Sequence, residues 1–302
     1  MRATTPPTGD ATPPHPTLAA LFTGACGTGS RPGRAPAAAL PPGRVIRTEE
    51  DERPALWLSD DPAPPGLWAQ FAAEHPATGL WPLLVDPDDH GRSGAAAPCG
   101  ELYEPPGTPI ADHDADTVLA AWWAEVTEPE EPEEPAPGEQ PQPQPGAEDH
   151  APFGRRWPGL APATGASPAA STPQAHAAAT AAALAAARPG ARLGLVAADR
   201  SADAPAGCGW SGPVNYTGDM SAFSAVLRSW EDRFGARVVG MGFDTLLLSV
   251  ASPPRDEATA LRVAAEHHAF CPDNVWQNTP GGTLARYAAS LVGEDVWSFW
   301  WD

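Results

Sequence analysis

The chain contains no lysine; all 18 of its basic residues are arginine. A phosphate-cradling GxxxxGK(S/T) loop is therefore excluded, and no other cofactor motif replaces it, so no cofactor is expected. Cysteine is almost as scarce. Cys26, Cys99, Cys208 and Cys271 are widely spaced and form no CxxC pair. So few cysteines cannot frame a chain of 302 residues with disulfides, and we read them as reduced thiols of a cytoplasmic protein. No apolar run approaches the roughly 20 residues that a membrane span requires. One lookalike, LAALFTGAC at 18–26, imitates a lipoprotein cleavage box ahead of Cys26. Its apolar run is about five residues where a signal core needs about 7–15, so we reject that reading.

Positive charge is the third shortage. Thirty-eight acids face 18 arginines, for a net charge of −20. Phosphate backbones and anionic lipid surfaces would be repelled, which excludes nucleic acid and membrane as main partners. The imbalance is uneven: residues 128–150 hold eight acids and no base, whereas 151–302 hold thirteen acids and eleven arginines. The C-terminal half is thus close to neutral.

What the chain does contain falls into five stretches. Residues 1–39 read as a disordered or low-complexity N-terminus: 1–17 are rich in Pro and Thr, and 18–39 are rich in Ala and Gly with one helical turn. Residues 40–127 read as a small α/β segment. PPGRVIR and PALWLSD are short strands, and GLWAQFAAEHPATG is a helix ended by Pro76. WPLLVDP is a buried strand, and DADTVLAAWWAEV is a helix capped by Asp114 or Asp116. Residues 128–152 are an acidic Pro/Glu linker, stiffened toward polyproline II. Residues 153–190 hold a strap plugged by Phe153, Trp157 and Leu160, then an Ala-rich helix expected on propensity alone.

Residues 191–302 carry the densest pattern. ARLGLVAA is a strand, followed by a long loop, SADAPAGCGWSGPVNYTG. Asp219 caps the next helix and Gly235 stops it. ARVVGMG and DTLLLSVAS are strands joined by a turn at Gly242–Asp244. A helix from Asp256 to Phe270, a shorter one in TLARYAASLV and a last strand VWSFWWD complete the order. That succession, β-α-β-β-α-(α)-β, predicts an α+β fold: a ferredoxin-like sandwich preceded by the smaller β-β-α-β segment.

SWEDRFGARVVGMGFDTLLLSVASPP, AAEHHAFCPDNVWQ and the terminal WSFWWD resemble the domain-of-unknown-function 4253 family, a bacterial family common among actinobacteria. The resemblance covers about 191–302 and is fainter through LPPGRVI and TGLWPLLVD. It implies no activity, ligand or cofactor.

The richest cluster of reactive side chains is AEHHAFCPD, holding Glu266, His267, His268, Cys271 and Asp273. His267 and Cys271 are four apart, hence on one helical face, a spacing that suits two metal ligands or a thiol beside its base. Two ligands do not complete a zinc site, and a thiol at a helix C-terminus is not activated by the dipole. Asp244 sits in the hairpin turn, where Asp commonly bonds its own backbone. Trp210, Asn215 and Tyr216 lie in a polar-aromatic loop suited to binding. Along the last strand Trp297, Phe299 and Trp301 face one way and Trp300 the other, where it is either packed or an interaction hot spot. These features favour a non-enzymatic module that binds another protein, of adaptor or immunity type. The alternative is an enzyme or metal site, hydrolytic in type, on Glu266, His267, His268, Cys271 and Asp244.

Overall fold

Among the described residues seven apolar segments form strands, and all seven join one sheet. The computed structural model describes residues 16–23, 33–85, 99–103, 108–128, 150–165 and 171–302. The Pro/Glu-rich stretch 129–149, the first 15 residues and Cys26 lie outside them. The strands are β1 (Gly43–Arg47), β2 (Pro54–Pro62), β3 (Leu80–Val85), β4 (Arg192–Ala197), β5 (Ala236–Met241), β6 (Thr245–Val250) and β7 (Val296–Trp300). Nine helices accompany them among the described residues: α1 (Pro16–Thr23), α2 (Leu67–Thr78), α3 (Ala115–Val126), α4 (Pro173–Ala187), α5 (Ala204–Cys208), α6 (Met220–Phe234), α7 (Glu257–Phe270), α8 (Asp273–Trp276) and α9 (Leu284–Leu291). None is long and apolar enough to cross a membrane.

The sheet order is β1-β2-β4-β3-β5-β6-β7. The fold is α+β, but it is not the ferredoxin-like sandwich expected from the C-terminal element order. β3 lies between β4 and β5, antiparallel to the first and parallel to the second. β4 and β5 therefore run in opposite directions and cannot be the two parallel strands of a βαβ unit. Every residue of β3 is buried, as a strand covered on both faces requires. The Trp81 indole reinforces the junction by donating to the Val238 carbonyl at 2.8 Å.

Three local expectations also differ. Helix α1 starts inside the stretch expected to be disordered and exceeds the single turn expected after it; Leu18 and Leu21, one turn apart, are buried and the helix packs on β2 and β4. Helix α2 passes through Pro76 and ends at Gly79, whose left-handed backbone brings its N–H to the His75 carbonyl at 2.8 Å. The supposed loop after β4 contains a 3-10 turn, Ser201–Asp203, and then α5. Buried charge organises that stretch. Arg228 grips Asp203 with bonds of 2.6 and 2.9 Å, and Arg200 reaches Glu231 at 2.6 Å.

Helix α6 is capped as its sequence demands. Asp219 accepts from the N–H groups of Ser221 and Ala222, and Gly235 turns the chain at φ 62°. Its apolar face meets β7: Trp230 stacks on Phe299 at 5.4 Å and meets Trp297 at 5.6 Å. On the opposite face of the sheet Thr180 of α4 bonds Ser249 of β6. Helices thus cover both faces. Among the strap residues Phe153, Trp157 and Leu160 pack against the core, and the Trp157 indole donates to Asp116 at 2.7 Å.

One buried carboxylate joins these parts. Glu266, fully buried on α7, accepts both arms of Arg233 at 2.8 and 2.6 Å, the Trp230 indole at 2.7 Å and the Ala161 N–H of the strap at 2.6 Å. Removing one partner of such a pair strands a charge in the interior and costs about 3–5 kcal/mol, whereas an apolar replacement of both is far milder. Arg233→Ala is therefore expected to lose about 3–5 kcal/mol in urea unfolding, and Arg233→Met with Glu266→Leu distinctly less. Equal losses would mean that the pair does not act as a unit.

Candidate functional site

The AEHHAFCPD segment is the last turn of α7 and the entry to α8, and its side chains point to different partners. Glu266 is committed to Arg233. His267 lies among Trp297, Phe299 and Trp230, with ring centroids 4.4, 4.8 and 5.0 Å away. Its Nδ1 is 2.9 Å from the Tyr287 hydroxyl, which in turn accepts from the Asn274 amide at 3.1 Å. Donor accounting then leaves the phenol to donate to Nδ1, and the imidazole proton to Nε2. Nε2 has no hydrogen-bond partner among the described residues; it faces aromatic rings. His268 turns instead toward His150, their Nε2 atoms 3.2 Å apart, with Trp123 beside both. The Cys271 thiol donates to the Trp300 carbonyl at 3.0 Å. Asp244 is buried in the β5–β6 turn, where it accepts from the Thr245 hydroxyl at 3.3 Å and its carbonyl takes the Trp301 N–H at 3.1 Å.

Burial sets the protonation of this segment. It holds the His267 imidazole well below its ordinary value, helped by the Arg233 charge. It brings His268 down to about 3, helped by His150, and pushes the Cys271 thiol up. A thiolate–imidazolium pair is thus opposed from both ends. No group of three or more His, Cys, Asp or Glu among the described residues is arranged to hold a metal ion.

The open surface lies next door. Asn274, the first residue after Asp273 on α8, lays its amide along the free edge of β7. It donates to the Ser298 carbonyl at 2.7 Å and accepts the Trp300 N–H at 3.3 Å. Beyond it opens a cleft of about 530 Å³, lined by Asn274, Asn278, Thr279, Arg286, Tyr287 and Trp300, with Ser290 and Ser298 at its sides. A second cleft, about 310 Å³, is lined by the adjacent residues Asp273 and Trp301, with Asn215, Tyr216, Trp276, Glu125 and Asp302. Neither is lined by Glu266, His267, His268, Cys271 or Asp244.

The binding candidates divide accordingly. Asn215, Tyr216 and Asp273 come together in the smaller cleft, and Trp300 walls the larger one. Tyr216 is held by its hydroxyl, which donates to the Ala269 carbonyl at 2.8 Å. Trp210 is in neither cleft; it is buried, donates to the Gly242 carbonyl at 3.0 Å and meets Trp301 at 5.7 Å. Sequence reasoning missed Asn274, Arg286 and Tyr287. A signal was available: Thr283, Arg286, Tyr287 and Ser290 form one polar face of α9, opposite the buried Leu284, Ala288 and Leu291.

Residues 192–302 match the family described as Domain of unknown function (DUF4253). No curated protein and no solved structure matches the chain. The DUF4253 segment begins at β4 and contains every residue of the larger cleft. It omits β3, the strand that separates β4 from β5.

Two consequences follow from this geometry. The segment 192–302 expressed alone exposes the facing edges of β4 and β5, and unpaired apolar edges aggregate. It is expected to aggregate under conditions in which the full chain stays folded in solution; a folded, monomeric 192–302 would refute that. The second consequence is a pH dependence. Both imidazoles titrate lower when folded than the unfolded value of about 6.5, so stability is full above that pH and lost below it, by about 1.4 kcal/mol per pH unit for each. His268→Gln should flatten the decline in unfolding free energy between about pH 6.5 and 5 by roughly that slope, measured in urea.

Proposed function

We propose that the DUF4253 segment, with α3 beside it, is a cytoplasmic, non-enzymatic module that recognises another protein through the two clefts at the end of β7. One observation carries this reading: adjacent clefts of opposite charge, each walled by tryptophan. The larger has Arg286 and no acid among its lining residues; the smaller has Glu125, Asp273 and Asp302. Tryptophan and arginine anchor the energetic centres of protein interfaces, and paired patches of opposite sign fix register. The reactive groups nearby are held neutral or ion-paired in the interior, which supports recognition over bond-making. Cys99, Cys208 and Cys271 are free buried thiols, in keeping with a reducing compartment.

A photo-crosslinking residue at Ser290, exposed on the larger cleft, tests the reading in the cells that naturally make the protein. One discrete protein adduct is expected from Ser290 and none from Gln70, an exposed position on α2. Trp300→Ala should weaken the captured complex by about 2 kcal/mol, the scale of an interface hot spot. If Ser290 captured no protein, or if the purified chain turned over a small substrate and His267→Gln abolished the turnover, the module reading would be wrong.

A further inference from the structure

We infer that the larger cleft binds a peptide carboxylate that has an N–H donor beside it. This rests on the proposed recognition role of that face and names the chemistry recognised there.

The anion-binding element is Arg286. Its guanidinium is placed before any ligand arrives. One arm donates to the Pro280 carbonyl at 2.9 Å, and the plane lies across Gly281. A Cβ on Gly281 would come within 2.6 Å of that arm and 3.2 Å of Cζ. Gly281 also has φ +81°, a conformation that glycine adopts without strain. The loop thus provides a bare backbone shelf on which the guanidinium lies. Among the described residues Arg286 has no carboxylate partner, and its other N–H groups are free for a ligand. In a chain of net charge −20, a cleft lined by an unpaired arginine and no acid is complementary to an anion. A single cation matches a singly charged carboxylate better than a phosphate dianion, whose second charge would have no partner.

The hydroxyls define the rest of the ligand. The Thr279 hydroxyl donates to the Asn274 carbonyl at 2.8 Å, and the Ser290 hydroxyl to the Tyr287 carbonyl at 2.7 Å. Each has spent its proton inward, so each offers only lone pairs to the cleft. Ser290 lies one helical turn from Arg286. A ligand that satisfies this wall carries a donor near its anion, as a peptide does at its C-terminus or at an acidic side chain. The Trp300 and Tyr287 rings supply flat walls for an apolar neighbour.

The test is titration of the isotope-labelled full chain, followed by NMR at the Arg286 Nε–H and the Trp300 indole. N-acetyl-phenylalanine presents a terminal carboxylate and N-acetyl-Ala-Glu-Ala-amide a side-chain one. N-acetylphenylalaninamide and inorganic phosphate are the controls. At least one carboxylate probe should shift both signals and outbind both controls, and whichever binds identifies the source. Arg286→Gln should weaken it by about tenfold or more, equal to about 1.4 kcal/mol, and Arg286→Lys by less. Gly281→Ala, which displaces the guanidinium, should weaken it while Arg286 is still present. The inference falls if neither carboxylate binds at millimolar concentration, if the amide or phosphate binds as well, or if Arg286→Gln binds unchanged. A protein adduct at Ser290 without carboxylate binding would sink this inference and leave the module reading standing. Carboxylate binding without any protein adduct would do the reverse.

Discussion

Everything near the candidate site hangs on the burial of Glu266. A carboxylate with no solvent exposure is tolerable only when its oxygens are saturated by donors. Here the donors come from two separate parts of the chain: Arg233 and Trp230 on α6, and the backbone of the strap at Ala161. Arg233 also reaches the Ala161 carbonyl at 2.9 Å, so strap and helix are tied twice. The requirement fixes α6 against α7 and leaves the next residue, His267, one orientation, inside the ring of Trp230, Trp297 and Phe299. From there the order is transmitted outward through Tyr287 to Asn274.

Asn274 solves a different problem. β7 is an edge strand of a sheet rich in apolar side chains, and such an edge is a template for unwanted pairing. An asparagine amide carries a donor and an acceptor at nearly the spacing of a peptide group. It occupies the Ser298 carbonyl and the Trp300 N–H, while the Cys271 thiol takes the Trp300 carbonyl. The segment that looked most reactive is thus a fastening for the last strand. The same fastening borders the larger cleft, since Asn274 and Ser298 both line it.

The sequence exposed some of this and hid the rest for physical reasons. Alternation in WSFWW placed Trp297 and Phe299 inward, and the caps of α6 were legible because Asp219 and Gly235 act on neighbouring backbone. The sheet order was not legible from local pattern, since periodicity reports which face a side chain takes and not which strand lies alongside. The unbroken apolar run of WPLLVDP did carry the mark of a two-sided, central strand, and β3 occupies such a place. The ion pairs Arg228–Asp203 and Arg233–Glu266 join residues 25 and 33 positions apart, a separation that no local signal spans. Arg286 was invisible for a related reason: its importance comes from lacking a partner, and only folded geometry shows which charges are left over.

A strongly acidic chain and a cleft that attracts an anion are compatible once distance is considered. At physiological ionic strength charges farther apart than about 8 Å are largely screened. Residues 1–128 carry 18 acids and 7 arginines and the 129–149 stretch seven acids and no base, whereas the C-terminal half is almost balanced. Part of that balance is consumed internally, since Asp203, Glu231 and Glu266 are each matched to an arginine. An incoming carboxylate at Arg286 therefore meets one charge of opposite sign and no acid among the residues lining that cleft, with the field of more distant charges weakened by salt. The field of the whole molecule slows such an encounter, whereas the affinity is set locally, by a guanidinium already fixed on its glycine shelf.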